Sequence, residues 1–453
     1  MQGMRYATIN PVNNQTIREF EFDAFPDLDI SVKAFRLWRK LSVNERGAYL
    51  KRVADVLEAN KKKYAELITF EMGKPLSEAE YEINKVLSGF DYYIKNAGRF
   101  LQDEAVQTNA SKSYIRFEPM GVIFSVMPWN FPFWQVFRFA IPTLISGNVS
   151  ILKHSPNVPQ CAKAIADIFT EAGVPDGVFK NYFLTNEDAG KLIADRRIAG
   201  ISFTGSDATG SILASQAGKH IKKSILELGG NDAFIVLADA DIDFAISGAI
   251  KSRSINSGQS CNAAKRFIVV EEVAGTFTEK LITAVKKLKV GDPLNTDSQL
   301  GPLARRDLKE KVQKQVADSV AAGAVAHYGA GVPEGVGNFV SPVVLTGVKP
   351  GIRAFEEEIF GPVWSVIVVK DADGAIATAN NSVYGLGASI WTADKAGAER
   401  FVSELETGNV FINDIVKSDA RIPFGGIKRS GYGRELSEHG LMEFVNIKTV
   451  YIN

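Results

Sequence analysis

Two residues of the sequence have the types and settings that covalent catalysis requires. Cys261 ends the polar, glycine-containing run 256–261, and Glu227 lies in the apolar run 226–230, which ends in two glycines. A thiol in a polar loop can attack a substrate carbon, and a carboxyl group can then move protons to or from the covalent intermediate. The pattern indicates a cysteine nucleophile with an acid/base partner.

Each of these residues also has a structural interpretation. A lone cysteine is more often a small buried residue than a nucleophile. Cys161, the other cysteine, lies among small and apolar residues at 160–166 and is of the buried kind. Glu227 taken alone is compatible with an ordinary charge at the end of a strand or helix.

Three further segments supply groups that suit a ligand site. Asn130 lies between Pro128 and Pro132, which restrict the backbone and hold the amide as a hydrogen-bond donor, although a turn asparagine is the plainer alternative. Lys153 follows a predicted strand, at the end where α/β folds bind ligands. Run 203–210 places glycine and hydroxyl residues before a predicted helix, a setting that can bind a pyrophosphate.

Composition limits the classes of function. The chain has 453 residues, 45% of them hydrophobic, which predicts two or three domains, and 52 basic residues balance 52 acidic ones. Neutral charge argues against a nucleic-acid surface or an anionic membrane surface. The first residues lack the apolar core of a signal peptide, so the expected location is cytoplasmic. The four histidines are scattered, and we expect no metal site.

The predicted elements place these segments. Residues 28–100 have helical periodicity with a capping box at Ser42 and Glu45, and from residue 121 short strands alternate with helices, which predicts parallel βαβ units. A second α/β set follows Cys261. Segments 101–117 and 448–452 have the alternation of edge strands, for which a subunit partner is the natural expectation.

Six blocks together resemble the aldehyde dehydrogenase family over the whole chain: PWNFP at 128–132, FTGS at 203–206, LELGG at 226–230, GQSC at 258–261, EIFGP at 358–362 and PFGG at 423–426. The resemblance implies an α/β fold with three parts. These are a Rossmann-like cofactor-binding domain (1–100 and 118–229), an α/β catalytic domain (230–435) and a small β oligomerisation element (101–117 and 436–453). It also implies a homodimer or homotetramer.

The resemblance assigns roles to the residues already singled out. Cys261 becomes the nucleophile that attacks an aldehyde, Asn130 stabilises the oxyanion, and Glu227 activates the water that hydrolyses the thioester. The cofactor is NAD or NADP, and its implied site comprises Trp129, Lys153, Ser155, Pro156, Gly205, Ser206, Leu228, Glu358 and Phe360.

The choice of cofactor and substrate depends on fewer residues. Many NAD-preferring members carry a glutamate where this chain has Pro156, so no carboxylate repels a 2′-phosphate there, and Lys153, His154 and Ser155 are available to contact it. Arg138 stands where succinate-semialdehyde dehydrogenases have an arginine that pairs with the substrate carboxylate. Trp134 and Ser418 complete the implied substrate site.

Three functional interpretations follow from the sequence. The first is NAD(P)-dependent oxidation of a short semialdehyde, with succinic semialdehyde as the expected substrate. The second is a general aliphatic aldehyde dehydrogenase, in which Arg138 forms a structural ion pair. The third is a cofactor-independent thiol esterase using Cys261, which would not need the run at 203–206.

Overall fold

The structure is a computed structural model, and it describes residues 5–453. Its helices are α1 Leu28–Trp38, α2 Val43–Ala59, α3 Lys61–Met72, α4 Leu76–Phe100, α5 Trp134–Ile145, α6 Pro159–Glu171, α7 Asn186–Ala194, α8 Asp207–Lys219, α9 Ile242–Ser254, α10 Glu271–Lys286, α11 Arg306–Ala321, α12 Arg353–Glu356, α13 Ala372–Asn380, α14 Glu399–Glu404 and α15 Ser437–Met442. Its strands are β1 Tyr6–Ile9, β2 Thr16–Phe20, β3 Glu104–Ala105, β4 Lys112–Pro119, β5 Val122–Met127, β6 Val149–His154, β7 Phe179–Asn181, β8 Ile198–Thr204, β9 Lys223–Glu227, β10 Ala233–Val236, β11 Arg266–Val270, β12 Val325–Tyr328, β13 Val343–Thr346, β14 Val363–Val369, β15 Tyr384–Gly385, β16 Gly387–Trp391, β17 Asn409–Ile412, β18 Ile427–Lys428, β19 Gly431–Tyr432 and β20 Val445–Ile452.

The helical prediction for residues 28–100 is confirmed by α1 to α4. The predicted capping box begins α2: Ser42 Oγ accepts the Glu45 N–H at 3.2 Å, and the Glu45 carboxylate accepts the Ser42 N–H at 2.7 Å. Two backbone donors that the first turn leaves unpaired are thereby satisfied. Leu50, Val53 and Leu57 recur on one face and are fully buried in the first core.

A six-stranded sheet carries the first set of predicted segments. Its order is β19-β9-β8-β5-β6-β7, and every pairing is parallel except that of β19 with β9. The carboxyl ends of neighbouring parallel strands lie along one edge, so the turns after β5, β6 and β8 are brought side by side. The predicted alternation of strands and helices is therefore confirmed.

A seven-stranded sheet carries the segments that follow Glu227. Its order is β12-β13-β14-β11-β10-β16-β17, with β12 alone antiparallel to its neighbour. Strand β10 shows why this sheet needs helices on both faces: Ala233 and Ile235 pack into one core, while Phe234 and Val236 pack into the other. Successive side chains of a strand point to opposite faces, so both faces are apolar here.

The two predicted edge segments pair with each other. Strand β20 runs antiparallel to β4 over eight residue pairs, from Val445 opposite Pro119 to Ile452 opposite Lys112, and β3 adds a third, shorter strand. The sequence led us to expect a subunit as the pairing partner, whereas this pairing lies within the chain. The division into three domains stays a prediction.

Outside the two large sheets, β1 and β2 pair antiparallel as a hairpin that was not predicted from the sequence. Among residues 5–453, no helix combines the length and the apolar character that a membrane crossing requires. In the same residues, no three His, Cys, Asp or Glu side chains come together in a way that suits a metal ion.

Candidate active site

The loop that carries Cys261 follows α9 and a 3-10 turn. Asn256, Ser257 and Gly258 have φ values of 54°, 53° and 80°, a left-handed run that is costly for residues with a Cβ. Contacts to other elements hold this backbone: the Asn256 N–H donates to Glu78 Oε2 at 2.6 Å, and Ser257 Oγ donates to the Gly301 carbonyl at 3.0 Å. The loop is therefore fixed by tertiary contacts.

Burial dominates the electrostatics of the Cys261 thiol and raises its pKa to about 12. The positive charges of Lys265 and Arg138 oppose this effect, and the negative charge of Glu227 adds to it. Lys265 Nζ donates to the carbonyl oxygens of Ser260, at 3.0 Å, and of Cys261 itself. A nearby base or a further positive charge is needed for this thiol to react as a thiolate.

Asn130 lies in the turn after β5, where the sequence predicted it. Its amide Nδ2 donates to the Gln259 carbonyl at 3.1 Å, two residues before Cys261, and Asn256 Nδ2 donates to the Asn130 carbonyl at 2.7 Å. An amide nitrogen carries two N–H groups, so one is used by Gln259 and the second is available to a ligand. The structure thus brings the PWNFP turn and the cysteine loop together.

Glu227 ends β9 and lies among charged side chains. Burial raises the pKa of its carboxyl well above the usual value, with Arg138 opposing the shift and Glu435 adding to it. Arg138 itself forms an ion pair with Glu435, and these side chains are 2% and 5% exposed. The sequence predicted that the Arg138 guanidinium pairs with a substrate carboxylate. In the structure it contacts the carboxylate of Glu435.

A cavity of about 610 Å³ opens beside Cys261. The predicted substrate residues Arg138, Trp134 and Ser418 line it together with Cys261. The other lining residues include Glu78, Tyr81, Glu82, Lys85, Phe131, Gln135, Lys417 and Phe424. Asn130 and Glu227 are not among the lining residues and are 5% and 2% exposed. The cavity is large enough for a small aldehyde beside the thiol.

The predicted cofactor residues lie at the carboxyl ends of β5, β6 and β8. Trp129 follows β5, Lys153 is near the end of β6, and Gly205 and Ser206 connect β8 to α8. Ser206 is the N-cap of α8 and accepts the Thr209 N–H, so the remaining N–H groups of that turn point where an anion would bind. Burial lowers the pKa of Lys153 to about 8.

The remaining cofactor residues contact one another or neighbouring loops. Trp129 and Phe360 meet edge to face with ring centroids 5.9 Å apart. Glu358 accepts the Gly230 N–H at 3.1 Å and lies 3.2 Å from Lys265 Nζ. The other predicted residues sit close by: Leu228 against α8 at Gly210, and Ser155 and Pro156 in the turn after β6. This donor set and helix terminus fit a dinucleotide.

One expectation at this site is wrong. His154 was expected to be available to a 2′-phosphate, but it is fully buried, with Nε2 2.9 Å from the Pro132 carbonyl. A carbonyl oxygen only accepts, so Nε2 carries the proton and Nδ1 accepts the Ser155 N–H at 2.8 Å. His154 therefore ties the end of β6 to the PWNFP turn and is not available to a ligand.

Sequence reasoning missed the part of the site that α4 supplies. Glu78, Glu82 and Lys85 lie on one face of α4 and line the cavity. Glu82 Oε1 accepts the N–H groups of Phe133 and Trp134 at 2.8 and 2.9 Å. Glu78, Glu82 and Lys85 have i, i+4 and i+7 spacing among apolar helix positions. This spacing indicates that charged side chains lie on the buried face of the helix.

Comparisons with known proteins agree with this geometry. The sequence model described as "Aldehyde dehydrogenase family" matches residues 1–450. A Synechocystis protein named "Probable succinate-semialdehyde dehydrogenase", NADP(+), is 47% identical over 99% of this chain and 100% of its own. The Escherichia coli K12 succinate semialdehyde dehydrogenase, NAD(P)+, is 42% identical over 98% of this chain and 97% of its own. The crystal structure of succinic semialdehyde dehydrogenase from Streptococcus pyogenes with NADP+ has a TM-score of 0.95 and 38% identity, covering 99% of both chains.

Proposed function

The chain belongs to the aldehyde dehydrogenase family, and from this premise we propose that it oxidises succinic semialdehyde to succinate with NADP, accepting NAD less well. One observation carries the substrate part of this proposal: a cavity of about 610 Å³ holds Cys261 together with the cationic side chains Arg138 and Lys85. A cavity that combines an aldehyde-attacking thiol with cations suits an aldehyde that also bears a carboxylate. The names of the relatives at 47% and 42% identity support the same substrate.

In this proposal Cys261 is the nucleophile. Its thiolate adds to the aldehyde carbon, and the carbonyl oxygen becomes an oxyanion that the second Asn130 N–H and the Cys261 backbone N–H stabilise. The positive charges of Lys265 and Arg138 favour the thiolate against the effect of burial, and the oxidised nicotinamide of a bound dinucleotide would add the further positive charge that the thiolate needs. The dinucleotide, when bound, accepts the hydride that leaves this carbon.

Glu227 acts in the second half of the reaction. Burial raises the pKa of its carboxyl, so as a carboxylate it is a stronger base than an exposed glutamate, and it takes a proton from the water that attacks the thioester. The thiolate of Cys261 then leaves, and succinate is the product. A hydrolysing base at this position also distinguishes the proposal from transfer of the acyl group to a thiol.

The dinucleotide is proposed to bind along the carboxyl edge of the six-stranded sheet. Gly205 and Ser206 at the start of α8 hold the pyrophosphate, Glu358 holds one ribose, and Trp129, Leu228 and Phe360 enclose the rings. Lys153 and Ser155 face the adenosine ribose. Pro156 leaves that side without a carboxylate, so a 2′-phosphate is tolerated there.

We also propose an oligomeric state and a cellular location. On one face of the three-stranded sheet, Ile447 and Tyr451 of β20 are 63% and 54% exposed, an apolar surface that a second copy would cover in a homodimer or homotetramer. We place the enzyme in the cytoplasm, acting on a small molecule. Light scattering on wild type and on Ile447→Glu tests the assembly, which that charge would weaken.

The test of function is the initial rate of NADPH formation by the purified protein. Succinic semialdehyde is compared with butanal, an uncharged aldehyde of the same length, each with NADP and with NAD. A clear preference for the semialdehyde supports the proposal, whereas equal rates would indicate a general aldehyde dehydrogenase. Cys261→Ala should abolish turnover while leaving the melting temperature within a few degrees. Product formation without a dinucleotide would instead indicate a thiol esterase.

A further inference from the structure

Lys85 is a cation of the substrate cavity that the sequence did not single out. It lies on α4, and its Nζ donates to Ser418 Oγ at 2.7 Å and lies 4.6 Å from the centroid of the Trp134 ring. Lys85 therefore contacts Ser418 and Trp134, two of the three residues that were predicted to surround the substrate. A second recess, of about 430 Å³, adjoins the cavity at the same three side chains.

Four basic side chains line the cavity, and Lys251 and Lys417 are exposed, whereas Arg138 and Lys85 lie deeper and differ in how their charge is met. The Arg138 guanidinium is paired with Glu435, and both side chains are buried. Lys85, in contrast, has no carboxylate within 4.0 Å among residues 5–453, and its polar contact is a neutral hydroxyl. The Lys85 side chain is part-buried, so its charge is partly withdrawn from water, and a bound anion would offset the cost of that desolvation.

We propose that Lys85, together with Ser418, anchors the carboxylate of the aldehyde substrate, in addition to any contact that Arg138 makes from its ion pair with Glu435. This inference rests on the proposed function and names the residue that gives it specificity. A carboxylate bound to the Lys85 ammonium and the Ser418 hydroxyl sits at the outer end of the cavity. The carbonyl group of the same molecule then faces Cys261.

The charges around Lys85 make this anchor sensitive to pH. Burial lowers the pKa of Lys85 to about 7, and the charge of Arg138 on α5 acts in the same direction. Glu82 on α4, Asp419 in the loop after β17 and Cys261 act in the opposite direction. A bound carboxylate favours the ammonium form, so the semialdehyde should bind best below about pH 7 and lose affinity as the pH rises above that value.

The experiment compares Lys85→Met, Lys85→Arg and the control Lys417→Met with both aldehydes. Lys417 also lines the cavity but is 52% exposed and paired with Asp414. Lys417→Met therefore removes a lysine from the cavity wall and leaves the proposed anchor in place. We expect Lys85→Met to raise KM for succinic semialdehyde by about 10- to 100-fold with little change in kcat, because one charge-assisted hydrogen bond is lost. Lys85→Arg should recover part of this loss, and butanal kinetics should stay unchanged in all three variants.

The outcomes separate the two proposals. If wild type shows no preference for the semialdehyde over butanal, the proposed substrate is wrong. If wild type shows the preference and Lys85→Met keeps the same KM for succinic semialdehyde, or loses activity equally with both aldehydes, the proposed role of Lys85 is wrong. The proposed substrate is then still supported. Should Lys85→Met fail to fold, the ratio of KM values, semialdehyde to butanal, is measured in Glu78→Gln, because Glu78 also lines the cavity and burial raises its pKa to about 7. The ratio should still rise from pH 7 to pH 9, and a constant ratio would overturn the inference.

Discussion

Replacing Glu82 by glutamine should destabilise the protein through a single buried ion pair. Glu82 Oε2 lies 2.5 Å from Lys74 Nζ, and the two side chains are 1% and 0% exposed. Glutamine keeps an oxygen that can accept the Phe133 and Trp134 N–H groups, so the change removes mainly the negative charge. Lys74 would then be a buried cation with no carboxylate within 4.0 Å among residues 5–453, near the Phe131 ring at 3.9 Å and the more distant carboxyl of Glu78. A buried charge left in this way costs about 3 to 5 kcal/mol.

The design that isolates this cost is a double-mutant cycle. Glu82→Gln and Lys74→Met are compared with the double variant, in which no unpaired charge remains. We expect each single variant to lower the melting temperature clearly, and the double variant to be more stable than either, since contacting residues couple by about 0.5 to 3 kcal/mol. Melting is followed by tryptophan fluorescence at one scan rate, because a chain of this size can unfold irreversibly.

The control is a surface pair with the same chemistry. Lys163 and Asp167 lie 2.8 Å apart on α6 but are 54% and 59% exposed, so Lys163→Met should cost no more than about 1 kcal/mol. If Glu82→Gln melts like Lys163→Met, or if the double variant loses the sum of the single losses, the buried pair does not hold this region as reasoned.

Three further predictions concern the nucleophile, its loop and the stability of the fold. Glu227→Gln should keep one fast burst of NADPH per active site while steady-state kcat falls by about 10²- to 10⁴-fold, because only thioester hydrolysis needs the base; loss of the burst as well would contradict this role. Gly258→Ala should lower both the melting temperature and kcat, since φ is +80° and an added Cβ would lie 2.3 Å from the Gly361 carbonyl oxygen; Gly275→Ala, where nothing lies within 4 Å, is the control. His154 has its pKa lowered to about 4 by burial, so its folded form stays neutral while the unfolded chain binds a proton below about pH 6.5. Stability should therefore fall by about 3 kcal/mol from pH 6.5 to pH 4, and His154→Gln should reduce that slope in denaturant titrations.

Much of the site was predictable because its parts are local in sequence. The prolines around Asn130 and the glycine and hydroxyl residues before α8 are local features, so their types and spacing indicate them directly. The left-handed backbone before Cys261, in contrast, is held by contacts to distant residues. The helices from 28 to 100 and the alternating strands follow from hydrophobic periodicity. The family and its α/β fold, predicted from the resemblance of the six sequence blocks, are confirmed by the match over residues 1–450 and by the TM-score of 0.95. The roles of the individual site residues stay predictions.

The tertiary structure alone determines the contacts between residues that lie far apart in the chain. The sequence places Arg138 after Asn130, but only the fold brings it to Glu435, nearly three hundred residues later, and so gives its charge a partner. The same holds for Lys85 at Ser418, for Glu78 at the cysteine loop and for β4 at β20. A side chain's charge, donors and local turn are properties of the sequence. Whether that charge is satisfied by the protein or left for a ligand depends on which distant elements pack against it, and only the folded chain determines that.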